Sequence, residues 1–403
     1  MLRQEPILFQ ITYVLLALCL LTAPFNTFIF LPAGIVLWGI SLVNFFKKEN
    51  KKIEKNRDNY IFFALFLLFF ILNFIGIFYS QNKAFAFAKM ENYFWFFVAP
   101  FLFLTLDPQK MTRKRVEILM YIFMISMSLL IFLNYAISCK DFLATGHTYY
   151  FFYIHLSHFM HPSYQALYAC VALLFAFYFI RKRQYPVLFL FFSIFLFFYI
   201  FMLQSKAGII VSIMFLAFAG TYWINRKKVR FISSTLFIII IFSFSIFVIK
   251  NIDIKTNRMD VFIESLKNET VTDQNTDVRI LIWKNAWNVA VEHLPFGTGT
   301  GDVRDELNRA YETNGLMALQ KRNYNAHNQY LETLIGVGIL GLLSLLSIFF
   351  LSFIGGIKKR DILLPVFVVM VLFFLLFESM LERKAGGDFI ALFLALLFDV
   401  SKK

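Results

Sequence analysis

The feature that most constrains this chain is a series of long apolar runs, separated only by short polar breaks. The runs are about 17–25 residues long, the length a helix needs to cross a bilayer. Lipid offers no partners to backbone N–H and C=O groups, so only helices and closed barrels span it. These runs are too long and too continuous for barrel strands. The chain is 59% hydrophobic, with 55 Phe and only 16% charged residues, more apolar surface than a soluble fold of 403 residues can cover. The expected class is therefore all-α and polytopic. The first run, 7–23, lacks a small-residue cleavage site and reads as a retained helix. Cys19, Cys139 and Cys170 are scattered, with neither zinc nor disulfide spacing.

A net charge of +14 raises the question of a nucleic-acid partner. The distribution argues against one. Basic residues cluster at 47–57, 110–115, 181–183, 226–230 and 358–360, in every second break between apolar runs. That alternation is the positive-inside pattern, so the clusters mark topology. Placing them in the cytoplasm gives about twelve spans: 7–23, 27–46, 60–79, 92–106, 117–137, 163–180, 187–204, 208–225, 231–249, 330–356, 362–377 and 388–400. Both termini fall in the cytoplasm. The expected organisation is helices 1–9 in residues 1–249, an extracytoplasmic helical loop at 250–329, and helices 10–12 in residues 330–403.

The long loop is soluble in character, with acids and bases nearly balanced. Within it, 277–293 reads as a helix with Arg279, Trp283 and Trp287 on one stripe, ended by Pro295 and a glycine-rich GTGTG turn. No internal repeat is visible. Polar residues that lipid alone would not select gather on the extracytoplasmic side: His155, His158 and His161, Lys206, Arg279, His327, Glu378 and Glu382. The glycine turn lacks the strand before it and the P-loop lysine that nucleotide binding requires, so close backbone approach is the better account. The three histidines at i, i+3 and i+6 drift around a helix and miss the metal-ligand pattern; no metal is expected. Lys206 sits at a very short connection close to the membrane face, where it either marks a site or snorkels to the interface. Arginine suits phosphate oxygens through its planar fork, and histidine suits proton removal near neutral pH. Arg279, Lys206 and His327 thus make a candidate site for a phosphate-bearing lipid and a hydroxyl acceptor.

The segment NAHNQYLETLIGVGILGL (325–342) resembles the signature of the O-antigen ligase and O-antigen polymerase superfamily, an HN-x-YL segment leading into a glycine-rich transmembrane helix. VRILIWKNAWNVAVEHLPFGTGTGD (278–302) is similar to the family's Arg-x-x-x-Trp helix and Pro-x-Gly-x-Gly turn, and ESMLER (378–383) to its late acidic segment. QSKAG (204–208) stands where a Ser-Arg motif is usual, with Lys206 in place of arginine. The likeness covers roughly 190–400. It implies a GT-C-like fold in the bacterial inner membrane, with the active site facing the periplasm and no cofactor. It also implies a glycan donor on undecaprenyl diphosphate and, for a ligase, lipid A–core oligosaccharide as acceptor. For a polymerase the acceptor is a second lipid-linked glycan. Carried onto this sequence, His327 is the catalytic histidine, Arg279 binds the donor diphosphate with Lys206 beside it, and His161, Glu378 and Asn328 shape the acceptor side. Protein O-oligosaccharyltransferases of the same superfamily are an alternative. A transporter or flippase would place its charges near the midplane, whereas these cluster at one face.

Overall fold

The computed structural model describes residues 6–46, 57–107, 109–226 and 278–400. The first group of helices is α1 (Ile7–Thr22), α2 (Phe30–Phe46), α3 (Arg57–Tyr79), α4 (Lys83–Thr105) and α5 (Arg113–Thr145). A single turn, α6 (Tyr153–Leu156), leads to α7 (Pro162–Arg181), α8 (Pro186–Met202) and α9 (Lys206–Arg226). After the undescribed stretch come α10 (Val278–Glu292), α11 (Val303–Thr313), α12 (Met317–Lys321), α13 (Gln329–Lys358), α14 (Leu363–Phe377) and α15 (Lys384–Val400). The architecture is all-α. Among the described residues, five helices are long and apolar enough to cross a membrane, and shorter apolar helices accompany them. Every expected span coincides with a helix except 231–249, which lies outside the described residues.

Position in the bundle follows from how far round each helix its apolar residues extend. Helix α7 is apolar on all sides and is buried along nearly its whole length, as a helix at the centre of a bundle must be. α15 is buried in the same way from Phe389 to Phe398, with Phe389 stacked on Tyr168 of α7 at 3.9 Å. By contrast α8 exposes Val187, Phe191, Ile194 and Phe198, residues on one stripe. Such a face is stable only against lipid or a partner.

The structure moves several boundaries. α4 begins at Lys83 and not near 92, because Asn82 caps it and Lys89 is paired inside the protein. α5 outruns its apolar stretch to Thr145 and stops where Gly146 adopts a left-handed conformation (φ 75°). The span expected at 330–356 is one helix by length, but Val337 and Gly338 leave helical geometry in its middle.

That break explains the glycine-rich turn. The Ile335 and Gly336 carbonyls, orphaned by the break, accept from Thr298 N at 2.7 Å and Gly299 N at 2.9 Å. Ile339 N donates to the Pro295 carbonyl at 3.0 Å. Non-helical backbone within a hydrophobic bundle is tolerated only when protein satisfies it in this way. The turn also reaches the neighbouring helices. Thr300 Oγ1 donates to the Asn73 carbonyl of α3 at 2.6 Å, and the Asp302 carboxylate accepts from Gln81 N and Asn82 N ahead of α4 at 2.6 and 2.8 Å. Above it, α10, α11 and α12 share a small core of Ile282, Ala286, Leu307, Tyr311 and Leu319 with Ile335 of α13. Val303, Leu307 and Tyr311 form the single buried stripe of an otherwise polar α11.

Candidate functional site

The end of α14, the start of α7, the start of α10 and the turn before α13 meet around one carboxylate, Glu378. Its Oε1 accepts from Arg279 Nη2 at 3.2 Å and from Ser163 Oγ at 3.1 Å. Its Oε2 lies 3.0 Å from His327 Nδ1. The Glu378 side chain is 14% exposed, against 26% for Arg279 and 25% for His327. The carboxylate is therefore the covered hub, and the cation and the imidazole are its reachable rim.

Local sequence explains each placement. The apolar run of α14 ends at Glu378, whose backbone turns extended (φ −147°, ψ 144°) and carries the carboxylate off the helix end. Pro162 suits the first position of α7 because its missing N–H has no helical partner there anyway. His161 caps that helix, its Nδ1 accepting from Ser163 N at 3.4 Å. On α10, Arg279 and Trp283 lie one turn apart on the same face. Arg279 reaches Glu378, while the Trp283 indole donates to the His327 carbonyl at 3.4 Å and packs beside Phe377. His327 has a left-handed backbone (φ 44°), costly for a residue with a Cβ. Bonds on both sides hold it there: its N–H donates to Asn325 Oδ1 at 3.1 Å and its carbonyl accepts from Trp283.

Electrostatics set the protonation pattern. Burial pushes the Glu378 carboxyl up, but the hydrogen bond and charge of His327, with Arg279 and His161 nearby, outweigh it and hold the group below its ordinary value. An ionised carboxylate only accepts. In the neutral imidazole, the N–H facing the ionised Glu378 is on Nδ1, and that tautomer leaves Nε2 with the lone pair. This is the arrangement by which a carboxylate orients a histidine for proton transfer.

A second set of charges braces the two loops that carry these groups. Lys89 Nζ lies 2.7 Å from Glu382 and 3.6 Å from Glu332, all three buried. Glu332 Oε2 accepts from Ala326 N at 3.0 Å, the residue before His327. Gln329 Oε1 accepts from Leu381 N at 2.8 Å, and Tyr93 donates to Glu382 at 2.9 Å. Lys89 and Glu332 were legible as charges in apolar runs, a default functional signal, yet neither they nor Ser163 entered the expected site.

The structure thus brings His327, Arg279, Glu378 and His161 together. Lys206 opens α9 and is exposed. Gly208, two residues on, lies against Ala166 of α7, so Lys206 stands at the same end of the bundle but does not hydrogen-bond Glu378. Asn328 caps α13, its Oδ1 accepting from Tyr330 N and Leu331 N. Trp287 is 56% exposed and leaves the stripe that Arg279 and Trp283 share. The other two histidines have separate neighbours: His158 Nε2 lies 3.3 Å from Ser138 Oγ, and His155 packs on Tyr149.

Residues 191–346 match the family model described as O-antigen ligase, which supports membership of the O-antigen ligase and polymerase superfamily. The matched stretch contains Lys206, Arg279 and His327 and stops short of Glu378. No curated protein matches the chain.

Proposed function

We propose that this chain is a member of the O-antigen ligase and polymerase superfamily and moves a glycan from undecaprenyl diphosphate to an acceptor hydroxyl at the Glu378 face of the bundle. The acceptor in this reading is lipid A–core oligosaccharide, and the Glu378 face is the periplasmic one. The observation that carries the chemistry is a histidine and an arginine held by the same largely covered carboxylate. His327 Nε2 takes the proton as the acceptor oxygen bonds to the anomeric carbon. The carbon–oxygen bond to the diphosphate breaks, and undecaprenyl diphosphate leaves with the bonding pair. Arg279 offers its fork to the diphosphate, where negative charge grows. Lys206 contributes positive charge from the same end. Glu378 keeps the imidazole in the tautomer that can accept.

The test uses the purified chain with a lipid-linked glycan donor and lipid A–core. Glycan joined to the core, with release of undecaprenyl diphosphate, is the expected result. Longer glycan still attached to the carrier, with unmodified core, identifies a polymerase instead. His327→Gln keeps hydrogen bonding but accepts no proton at that site, and transfer should fall by roughly 10²–10⁴-fold. Near-normal transfer by this variant removes His327 from the role of base.

A further inference from the structure

About 30 Å from the Glu378 site, the length of α7 at 1.5 Å per residue, the opposite end of the bundle holds a cavity that the reaction does not use. It has a volume of about 610 Å³ and lies between the first turns of α5 and the α7–α8 turn. Lys114, Glu117 and Tyr121 line one side, and Arg183, Gln184 and Tyr185 the other. The charges on its wall do not cancel. Glu117 Oε1 is taken by Lys182 Nζ and the Tyr178 hydroxyl, both at 2.6 Å. Among the described residues, Lys114 and Arg183 have neither a hydrogen-bonding nor an ion-pair partner for their side chains. The cavity is therefore rimmed by two exposed cations and a neutralised acid.

The turn that carries Arg183 is unusual for its residues. Arg183 (φ 58°) and Tyr185 (φ 45°) are both left-handed. Arg183 occupies the position just past a helix end where glycine is ordinarily found. Strain of this kind collects where a side chain is needed for a ligand.

The surroundings say what kind of ligand fits. Beyond Tyr185 the exposed stripe of α8, Val187, Phe191, Ile194 and Phe198, runs away from the cavity mouth. Tyr121 of α5 packs on Phe189 of α8, and Ile125, one turn on, is exposed on the α5 side. A cationic pocket beside an exposed apolar helix face matches an anionic headgroup with its acyl chains. We infer that this cavity binds the phosphate headgroup of an acidic phospholipid, its acyl chains lying along α8. Lys114 and Arg183 contact the phosphate, with Arg183 supplying a planar fork. Basic pockets between helices at a membrane face take lipid headgroups by this combination. The site is independent of the glycan chemistry.

The experiment uses the full chain in a neutral detergent, with phosphatidylglycerol, phosphatidylcholine and inorganic phosphate as separate probes. Native mass spectrometry reads the retained lipid, and thermal unfolding reads protection. The wild type should retain phosphatidylglycerol in preference to phosphatidylcholine. Lys114→Gln with Arg183→Gln should weaken that retention roughly tenfold, without changing elution volume or unfolding temperature in lipid-free detergent. Lys358→Gln with Arg360→Gln removes the same charge from the same end and should leave retention unchanged. Equal retention of both lipids by the wild type overturns the proposal. So does equal loss in the two double variants, which indicates diffuse charge. Protection by inorganic phosphate that matches phosphatidylglycerol overturns the lipid assignment in favour of a soluble phosphate.

Discussion

At the scale of single residues, the proposed chemistry turns on Glu378 more than on either of its partners. Its carboxylate faces His327 Nδ1 and so selects the tautomer, and it draws Arg279 toward the imidazole. In Glu378→Gln, an amide N–H faces His327 Nδ1, so Nδ1 must accept and the proton moves to Nε2. That tautomer cannot act as a base. The variant should lose on the order of 10³–10⁴ in kcat with little change in donor KM; a loss confined to KM would make Glu378 a binding group only. The same carboxylate sets a pH dependence. Its pKa is lowered in the folded protein, so its contribution to stability is present above the ordinary carboxylate value of about 4. That contribution is lost as the pH falls through the lowered value. Unfolding temperature should fall across this acid range in the wild type and fall less steeply in Glu378→Gln. Parallel profiles would show that the pairing does not stabilise the fold.

At the scale of elements, the decisive feature is the break in α13 and the turn that fills it. A Cβ on Gly338 would lie 1.9 Å from the Pro295 carbonyl oxygen, and its φ of 66° is left-handed. Both reasons act against any larger residue. Gly338→Ala should be destabilised by about 1–3 kcal/mol from backbone strain alone, with further loss if the Thr298 and Gly299 bonds to α13 open. Gly39 in α2 has no atom within 4 Å of the equivalent position. Gly39→Ala should therefore be neutral or slightly stabilising, since alanine favours helix over glycine. Thermal unfolding of the two variants side by side checks this, and equal unfolding temperatures would mean that the clamp does not hold α13. Because His327 lies in the turn that leads into the broken helix, Gly338→Ala should also lower transfer.

At the scale of the whole molecule, the charged groups divide between two ends. Arg113 pairs with Asp361 at one end, 2.8 Å apart, and Glu378 gathers its partners at the other. In the proposed orientation the Glu378 end faces the periplasm. Cys139 is a native reporter, exposed and well along the 33 residues of α5 toward that end. In cells with a permeabilised outer membrane, a membrane-impermeant maleimide should label Cys139. In a Cys139→Ser background, Lys358→Cys should be labelled only after the inner membrane is lysed. The reverse pattern inverts the orientation.

Fold class and the apolar helices among the described residues were legible in the sequence because they are local. Lipid requires apolar residues over a fixed length, so the runs mark the helices directly. His327 and Arg279 were legible by resemblance to short motifs, and His161 by its place before Pro162. What joined them was not legible. Glu378 and Arg279 are 99 residues apart, and Ser163 lies 215 from Glu378. No periodicity links positions so distant, and only helix packing brings them within 3.2 Å. The same holds for Lys89, Glu332 and Glu382, which are far apart in the chain and whose side chains are paired in the fold. It holds as well for the glycine turn. Its sequence announced close approach, but only the tertiary structure decided that the approached element is the broken backbone of α13, whose freed carbonyls take the turn's N–H groups in place of helical ones.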